Sequence, residues 1–276
     1  MGLCPPGISR ICRLPPQWTD CRAQTMELST DFYFFLMIGL IAQLIDGALG
    51  MAYGAISSAL LLSMGVPPAA VSLSVHSAEV ATTAVSGFSH WRHGNVNPAL
   101  FKRLALFGVI GAAIGATTLG MIDAAVLKPW IAVYLFAIGI LVLWRVLRPR
   151  VGTPPVDLAR RTGVLGVVAG FLDAAGGGGW GSITTTQLVA RGIPPRFVVG
   201  SVNAAEFLVS LTVTIILLPH VGFTHADVVL GLLVGGVIAA PIAARVVKHA
   251  QPRHARVATA VTIMMLCGYS LAQALG

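Results

Sequence analysis

The chain alternates long apolar stretches with short segments rich in glycine, proline and charge. Each half divides into five apolar elements that these residues separate. The elements lie at 32–47, 54–64, 69–90, 100–121 and 125–147, and at 162–175, 181–190, 196–218, 226–247 and 255–275. Helices fit this pattern, because an open sheet edge would leave backbone groups unsatisfied in lipid. A transmembrane barrel would need alternating strands of about ten residues, which the pattern does not show.

The second element of each half is too short to cross a bilayer upright. At ~1.5 Å per residue, 54–64 reaches ~16 Å, about half of the ~30 Å hydrocarbon core, and 181–190 is as short. Each half therefore predicts a helix, a glycine-rich break and a short second helix. This unit is either a re-entrant hairpin or two short, strongly tilted spans, and protein or a water-filled cavity must cover its non-helical backbone.

The two halves are copies of one another. Residues of about 39–116 and 166–243 align without a gap at a constant offset of 127. The matched pairs include Asp46 with Asp173, Glu79 with Glu206, Gly50 with Gly177, Gly54 with Gly181 and Tyr53 with Trp180. Repeated, glycine-interrupted apolar segments with acids inside them are typical of secondary transporters.

The repeat predicts the domain organisation. The first transmembrane repeat covers 32–147 and the second covers 162–276, joined by a basic linker at 148–161. Residues 1–31 form an N-terminal tail that is either disordered or, up to a natural start at Met26, not translated.

Composition supports a membrane protein. The chain is 56% hydrophobic and only 10% charged, with a mean hydropathy of +0.83, whereas soluble domains carry about 25% charged residues. The net charge of +8 is spread over short connections without interleaved aromatics, which disfavours nucleic-acid binding. The four cysteines show no metal-ligand spacing, so we expect neither a metal site nor a cofactor.

The basic residues predict opposite orientations for the halves. Placing their four clusters in the cytoplasm accounts for fourteen of the fifteen Lys and Arg residues after Met26, and leaves Lys128 outside. The clusters are Arg92 with Lys102 and Arg103; Arg145, Arg148, Arg150, Arg160 and Arg161; Arg191 with Arg196; and Arg245, Lys248, Arg253 and Arg256. This arrangement requires each broken unit to make an even number of crossings, so that the repeats are inverted.

The glycine breaks are candidate anion sites. A helix that restarts at Gly54 or Gly181 leaves its first N–H groups free, and these groups with the positive end of the helix dipole attract anions. The alternative is that small residues only allow close helix packing. The candidate binding residues are Gly50, Tyr53, Gly54, Ser57 and Ser58, and Gly177, Gly178, Gly179, Trp180, Gly181, Thr184 and Thr185.

Two pairs of acids accompany the breaks. Asp46 and Asp173 either brace the break by accepting from nearby N–H groups or titrate during a transport cycle. Glu79 and Glu206 fall near mid-depth of the third elements, where they serve either a proton relay or a polar clamp between helices.

The same third elements carry further polar side chains. Ser74, His76, Ser201 and Asn203 are added to the binding candidates, and His76 shares a helix face with Glu79 and Thr83 as Asn203 does with Glu206 and Ser210. The remaining histidines are expected to be solvated at helix ends or in loops: His90, His93, His220, His225, His249 and His254.

At these residues the chain resembles the TauE/SafE family of sulfite and organosulfonate exporters. The resemblance rests on two copies of an apolar helix, a glycine-rich break, a short Ser/Thr helix, a Gly-x-Pro-Pro turn and a Ser-x-[His/Asn]-x-x-Glu helix, from about Phe34 to Leu275. The first break, Gly50–Gly54, departs from a pure glycine run. The resemblance implies a bacterial inner-membrane permease for small sulfur-containing or related organic anions.

We therefore expect an all-α, polytopic membrane protein with two inverted repeats and broken or re-entrant helices at the glycine-rich breaks. It would transport a small anion by alternating access, with Glu79 and Glu206 as candidates for proton coupling. A passive anion channel, an integral membrane enzyme and a non-transporting scaffold are the alternatives. The enzyme is disfavoured because no nucleophile–base pair or metal-ligand set is evident.

Overall fold

A computed structural model describes residues 30–51, 53–147, 158–222, 226–246 and 253–275. Within these ranges the chain forms ten α-helices and no strand. The helices are α1 (Thr30–Leu49), α2 (Tyr53–Ser63), α3 (Pro68–Arg92), α4 (Pro98–Met121), α5 (Ala124–Leu147), α6 (Leu158–Gly176), α7 (Trp180–Ala190), α8 (Pro195–Val221), α9 (Ala226–Val246) and α10 (Arg253–Leu275). The predicted all-α class is confirmed, and each helix coincides with one predicted element to within a few residues.

Parts of the predicted organisation lie outside the described residues. The tail is described only from residue 30, and the linker only over 158–161, which form the first turn of α6. Among the described helices, five are long and apolar enough to cross a membrane. Their spans are Phe32–Leu49, Pro98–Met121, Ala124–Leu147, Pro195–Val221 and Ala226–Arg245. The short helices α2 and α7 have 11 residues each.

The Gly-x-Pro-Pro segments form the same turn in both repeats. Val66 N donates to the Leu61 carbonyl at 3.1 Å, and Ile193 N donates to the Leu188 carbonyl at 3.4 Å. A proline then stands in the first turn of α3 and of α8, where its missing N–H breaks no helical hydrogen bond. The turn thus ends each short helix and starts the long helix that follows it.

The helices of one repeat pack mainly against helices of the other. Helix α1 lies against α9 as its repeat mate α6 lies against α4, and α3 contacts α9 as α8 contacts α4. Helix α5 packs on its own mate α10, and α3 packs on its own mate α8. Because the main contacts cross between repeats, the larger hydrophobic core of the described residues contains side chains of both repeats.

The central pair, α3 and α8, runs antiparallel. Ser210 on α8 donates to Glu79 on α3, while further along α3 Ser86 donates to Asn203, which precedes Ser210. An antiparallel contact between repeat mates is the relation that inverted repeats require. It supports the predicted inversion, which stays a prediction for the protein in its membrane.

The α6–α7 unit turns back on itself at its break. Arg161 near the start of α6 and Arg191 just after α7 line the same groove, so both ends of the unit lie at one end of the molecule. Arg145 near the end of α5 reaches the same place, where its Nη2 donates to Gln187 Oε1 at 3.4 Å. A unit whose two ends lie at the same end of the molecule fits the even number of membrane crossings that the charge pattern requires.

Candidate functional site

The two glycine breaks are joined by a reciprocal pair of hydrogen bonds. Thr185 Oγ1 on α7 donates to the Gly50 carbonyl at 2.7 Å, and Ser58 Oγ on α2 donates to the Gly177 carbonyl. These bonds are repeat equivalents, since Ser58 matches Thr185 and Gly50 matches Gly177. Gly50 and Gly177 both have left-handed backbones, with φ of 68° and 74°, which glycine adopts without strain.

Glycine also allows the breaks to approach one another closely. A Cβ placed on Gly54 would lie 3.0 Å from the Gly178 Cα and 2.7 Å from Glu79 Oε1. A Cβ on Gly181 would lie 2.5 Å from the Gly50 carbonyl oxygen. The structure therefore brings the predicted glycines into one contact between the short helices, and leaves no room there for side chains.

Each aspartate caps the short helix of its own repeat. Asp173 Oδ1 accepts from the Trp180 backbone N–H at 2.8 Å, and Asp46 accepts from the Tyr53 backbone N–H. The caps satisfy one free donor at each helix start. The helices begin at Tyr53 and Trp180, one residue before the predicted starts.

The matched aromatic side chains at the helix starts anchor them to other helices. Tyr53 Oη donates to the Leu232 carbonyl on α9 at 2.9 Å, and Trp180 Nε1 donates to the Val202 carbonyl on α8 at 3.2 Å. Both rings are buried in the shared core. Their described contacts are structural, because each polar atom is already paired with a backbone carbonyl.

His76 connects the two repeats beside the breaks. Its Nε2 lies 3.1 Å from Asp173 Oδ2 and 4.0 Å from Glu79 Oε2. Its Nδ1 donates to the Ser72 carbonyl at 2.7 Å. Because Nδ1 carries a hydrogen, Nε2 donates to Asp173 only if the imidazole is charged. If the imidazole is neutral, the proton of this contact belongs to Asp173.

The four predicted acids form one electrostatic cluster. Asp46, Glu79, Asp173 and Glu206 are all buried, and every pair among them interacts electrostatically. Glu79 Oε2 accepts from Ser210 Oγ at 2.9 Å. Within the described part of the chain, three buried carboxyl oxygens of the cluster have no hydrogen-bond partner: Asp46 Oδ2, Glu79 Oε1 and Glu206 Oε2. These unpaired oxygens leave the cluster open to protons or to a polar ligand.

Comparison with known proteins identifies the family. The family described as "Sulfite exporter TauE/SafE" matches residues 35–270. The chain is also 46% identical over 226 residues to "Probable membrane transporter protein YtnM" of Bacillus subtilis (strain 168), across 79% of this chain and 75% of that protein. The chain belongs to the TauE/SafE family. It is a multi-pass membrane transporter, and no solved structure matches it significantly.

The other candidate residues of this TauE/SafE member differ in the contacts that they make. Ser57 is buried on α2, and its hydroxyl has no hydrogen-bond partner among the described residues. Thr184 Oγ1 donates within α7 to the Trp180 carbonyl at 2.5 Å. Gly179 is the N-cap residue of α7, and Ser74 lies on α3. Asn203 accepts from Ser86, at 2.8 Å between Oγ and Oδ1.

Ser201 contacts the loop between α3 and α4. Its Oγ accepts from the Asn97 backbone N–H at 2.9 Å, at the N-cap of α4. The side chain therefore fixes the loop between α3 and α4, and its described contacts are not with the breaks. Its match with Ser74 in sequence did not reveal this difference.

The prediction that His90 is solvated was wrong. His90 is fully buried, and its Nε2 donates to the Gly47 carbonyl near the end of α1 at 3.1 Å. Asn95 lies on the other ring nitrogen, 3.3 Å from Nδ1. The position near the end of α3 misled the prediction, because α9 packs against α3 and the Gly47 carbonyl of α1 meets the imidazole. His220 is exposed and His93 half-buried, while the side chains of the other three histidines lie outside the described residues.

Two further polar side chains were not predicted. Tyr134 on α5 donates from Oη to the Gly178 carbonyl at 3.2 Å, so a third helix contacts the second break. Gln43 on α1 is fully buried, and neither polar atom of its side chain has a partner in the ranges that the structure describes. A glutamine within an apolar helix could have signalled Gln43, whereas nothing in the repeat distinguishes Tyr134. Among the described residues, no group of His, Cys, Asp or Glu is arranged to hold a metal ion.

Proposed function

We propose that the chain transports a small sulfur-containing anion, of the sulfite, sulfonate or thiosulfate type, by alternating access with coupled proton movement. The observation that carries the proposal is the contact of His76 with Asp173, which joins the repeats beside the paired breaks. In this proposal His76 and Asp173 share a proton next to two helix N-termini.

The breaks supply the donors for an anion. Helices α2 and α7 start at the contact between Gly54 and Gly178, where N–H groups and the positive ends of two helix dipoles favour negative charge. In the structure the hydroxyls of Ser58 and Thr185 are engaged by carbonyls of the opposite break. Moving the two breaks apart would release both hydroxyls toward a bound anion. That separation is the conformational step we assign to alternating access.

The acids supply the proton. Four ionised carboxylates with one imidazole would leave a net negative charge in a buried site, which is costly and would repel an anion. Protonation of the cluster removes that repulsion. We therefore infer that anion and proton occupy the site together, with Glu79 and Glu206 as the coupling carboxyls and His76 with Asp173 as the shared-proton pair.

The substrate class rests on the family. Sulfite export is the activity in the family's description, whereas the name of the Bacillus subtilis relative gives no substrate. A bacterial inner membrane is the location that this relationship favours. A passive channel is the main alternative, because helix N-termini and hydroxyls could also line an anion pore.

A flux screen in proteoliposomes tests the proposal. Sulfite, thiosulfate and methanesulfonate are compared with acetate, using wild type, Glu79→Gln and the control Asp123→Asn. Asp123 is an exposed acid that hydrogen bonds the Ala125 N–H at the start of α5, and asparagine can keep that bond. We expect saturable sulfur-anion flux that Glu79→Gln lowers at least tenfold and Asp123→Asn preserves. Equal acetate flux, or full activity of Glu79→Gln, would contradict the proposal.

A further inference from the structure

A groove of about 620 Å³ lies between α6 and α7. Its wall includes two arginines, Arg161 and Arg191, and apolar side chains such as Val164, Val168 and Ile183. None of these residues belongs to the site described above, although Ile183 is on the same helix as Trp180 and Thr185. The groove therefore needs its own explanation.

The groove has a cationic end. Among the residues that the structure describes, no acidic side chain is in its wall, and Arg191 Nη1 is buried without a hydrogen-bond partner. Partial burial and the neighbouring charge of Arg161 both lower the pKa of Arg191. Arg145 adds a third guanidinium through its contact with Gln187, and its Nε also has no partner. Guanidinium groups held together in this way favour a phosphate or another oxyanion.

The other end of the groove is apolar and faces outward. Val164 and Val168 follow Arg161 along one face of α6, and they are 61% and 47% exposed. Ile183 precedes Arg191 by two turns of α7. In a membrane-spanning protein, exposed valines of this kind are suited to contact with acyl chains. A ligand that fits both ends has an anionic head and a hydrocarbon tail.

We propose that this groove binds one anionic phospholipid, with its phosphate between Arg161 and Arg191 and an acyl chain along Val164 and Val168. Both arginines belong to clusters predicted to be cytoplasmic, where anionic lipids are attracted to basic pockets between helices. A small soluble anion would satisfy the guanidinium groups but would leave the valine surface without a partner. The occupied groove would clamp the start of α6 to the end of α7.

Thermal unfolding in detergent tests this site. Phosphatidylglycerol or phosphatidylcholine with the same acyl chains is added to the wild type, to Arg161→Gln/Arg191→Gln and to the control Lys102→Gln/Arg103→Gln. Both double variants lose two positive charges, and the control residues are exposed on α4. We expect phosphatidylglycerol to raise the Tm of wild type and control by roughly 5 °C, phosphatidylcholine to have little effect, and the groove variant to lose most of the shift.

Three results would overturn the lipid site. The first is an equal loss of the shift in the control variant, which would mean a diffuse charge effect. The second is an equal Tm increase from inorganic phosphate or glycerol phosphate, which would mean a small-anion site. The third is retention of phosphatidylglycerol by the groove variant at the wild-type stoichiometry in native mass spectrometry, a measurement that remains informative if the variant has a lower starting Tm.

Discussion

His76 on α3 and Asp173 on α6 form a hydrogen bond across the two repeats, with 3.1 Å between Nε2 and Oδ2. Because His76 Nδ1 already donates to the Ser72 carbonyl, the Nε2–Oδ2 contact needs one proton, on either the imidazole or the carboxyl. The sequence equivalent of His76 is Asn203, whose amide side chain cannot gain and release a proton as an imidazole does. The site is therefore asymmetric, and its proton-sharing pair uses only one copy of each matched position.

Replacing this imidazole should remove proton coupling. In His76→Asn the side chain matches Asn203 and stays polar, but it cannot carry a proton between states. We expect anion uptake to lose its dependence on an imposed pH gradient, with a residual rate at least tenfold below wild type. His93→Asn is the matched control, because His93 Nδ1 also donates to the carbonyl four residues earlier, at 2.7 Å. Retained gradient dependence in His76→Asn would contradict this role.

The hydroxyl of Thr185 should matter more than that of its neighbour. Thr185→Val keeps the shape of the side chain but leaves the buried Gly50 carbonyl without its donor, at a cost of about 1–3 kcal/mol. Thr186→Val loses only hydrogen bonds within α7. We expect Thr185→Val to lower the detergent Tm and the transport rate, and Thr186→Val to resemble wild type. Equal effects of the two variants would mean that the hydrogen bond between the breaks contributes no more to stability and transport than a bond within α7.

The close approach of the breaks predicts a steric effect at Gly178. A Cβ there would overlap the Gly54–Ala55 peptide, including 2.6 Å to the Ala55 nitrogen. We expect Gly178→Ala to abolish transport while the protein is still expressed. Gly120→Ala is the control, because a Cβ at Gly120 would meet nothing within 4 Å. Normal flux in Gly178→Ala would show that the breaks need not approach as closely as they do here.

Tyr53 should contribute to stability rather than to anion recognition. Tyr53→Phe removes the buried hydrogen bond to the Leu232 carbonyl and should cost about 1–3 kcal/mol of folding free energy. The detergent Tm should fall, while the concentration of anion that half-saturates flux should stay within twofold of wild type. Tyr269→Phe, at an exposed position on α10, is the control. A large change in half-saturation would instead indicate a direct contact with the anion.

The sequence was sufficient to predict the helices because their signals are local. Apolar length, the glycine breaks and the Gly-x-Pro-Pro turns mark all ten elements, and the repeat offset identifies the paired acids. Contacts between helices have no such signal. The helix face shared by His76, Glu79 and Thr83 indicated a polar surface but not that Asp173 of the other repeat faces it. Tyr134 was missed and His90 was misplaced for the same reason, since only tertiary packing brings α5 onto one break and the Gly47 carbonyl of α1 to His90.

We expect the anion and a proton to cross the membrane together at this site. The decisive experiment measures sulfite uptake and internal pH simultaneously in proteoliposomes, with wild type and His76→Asn. An inward proton gradient should accelerate saturable uptake by the wild type, the lumen should acidify in proportion, and both effects should disappear in the variant. Uptake that does not saturate, ignores the proton gradient and leaves internal pH unchanged would contradict this expectation and identify a passive anion channel.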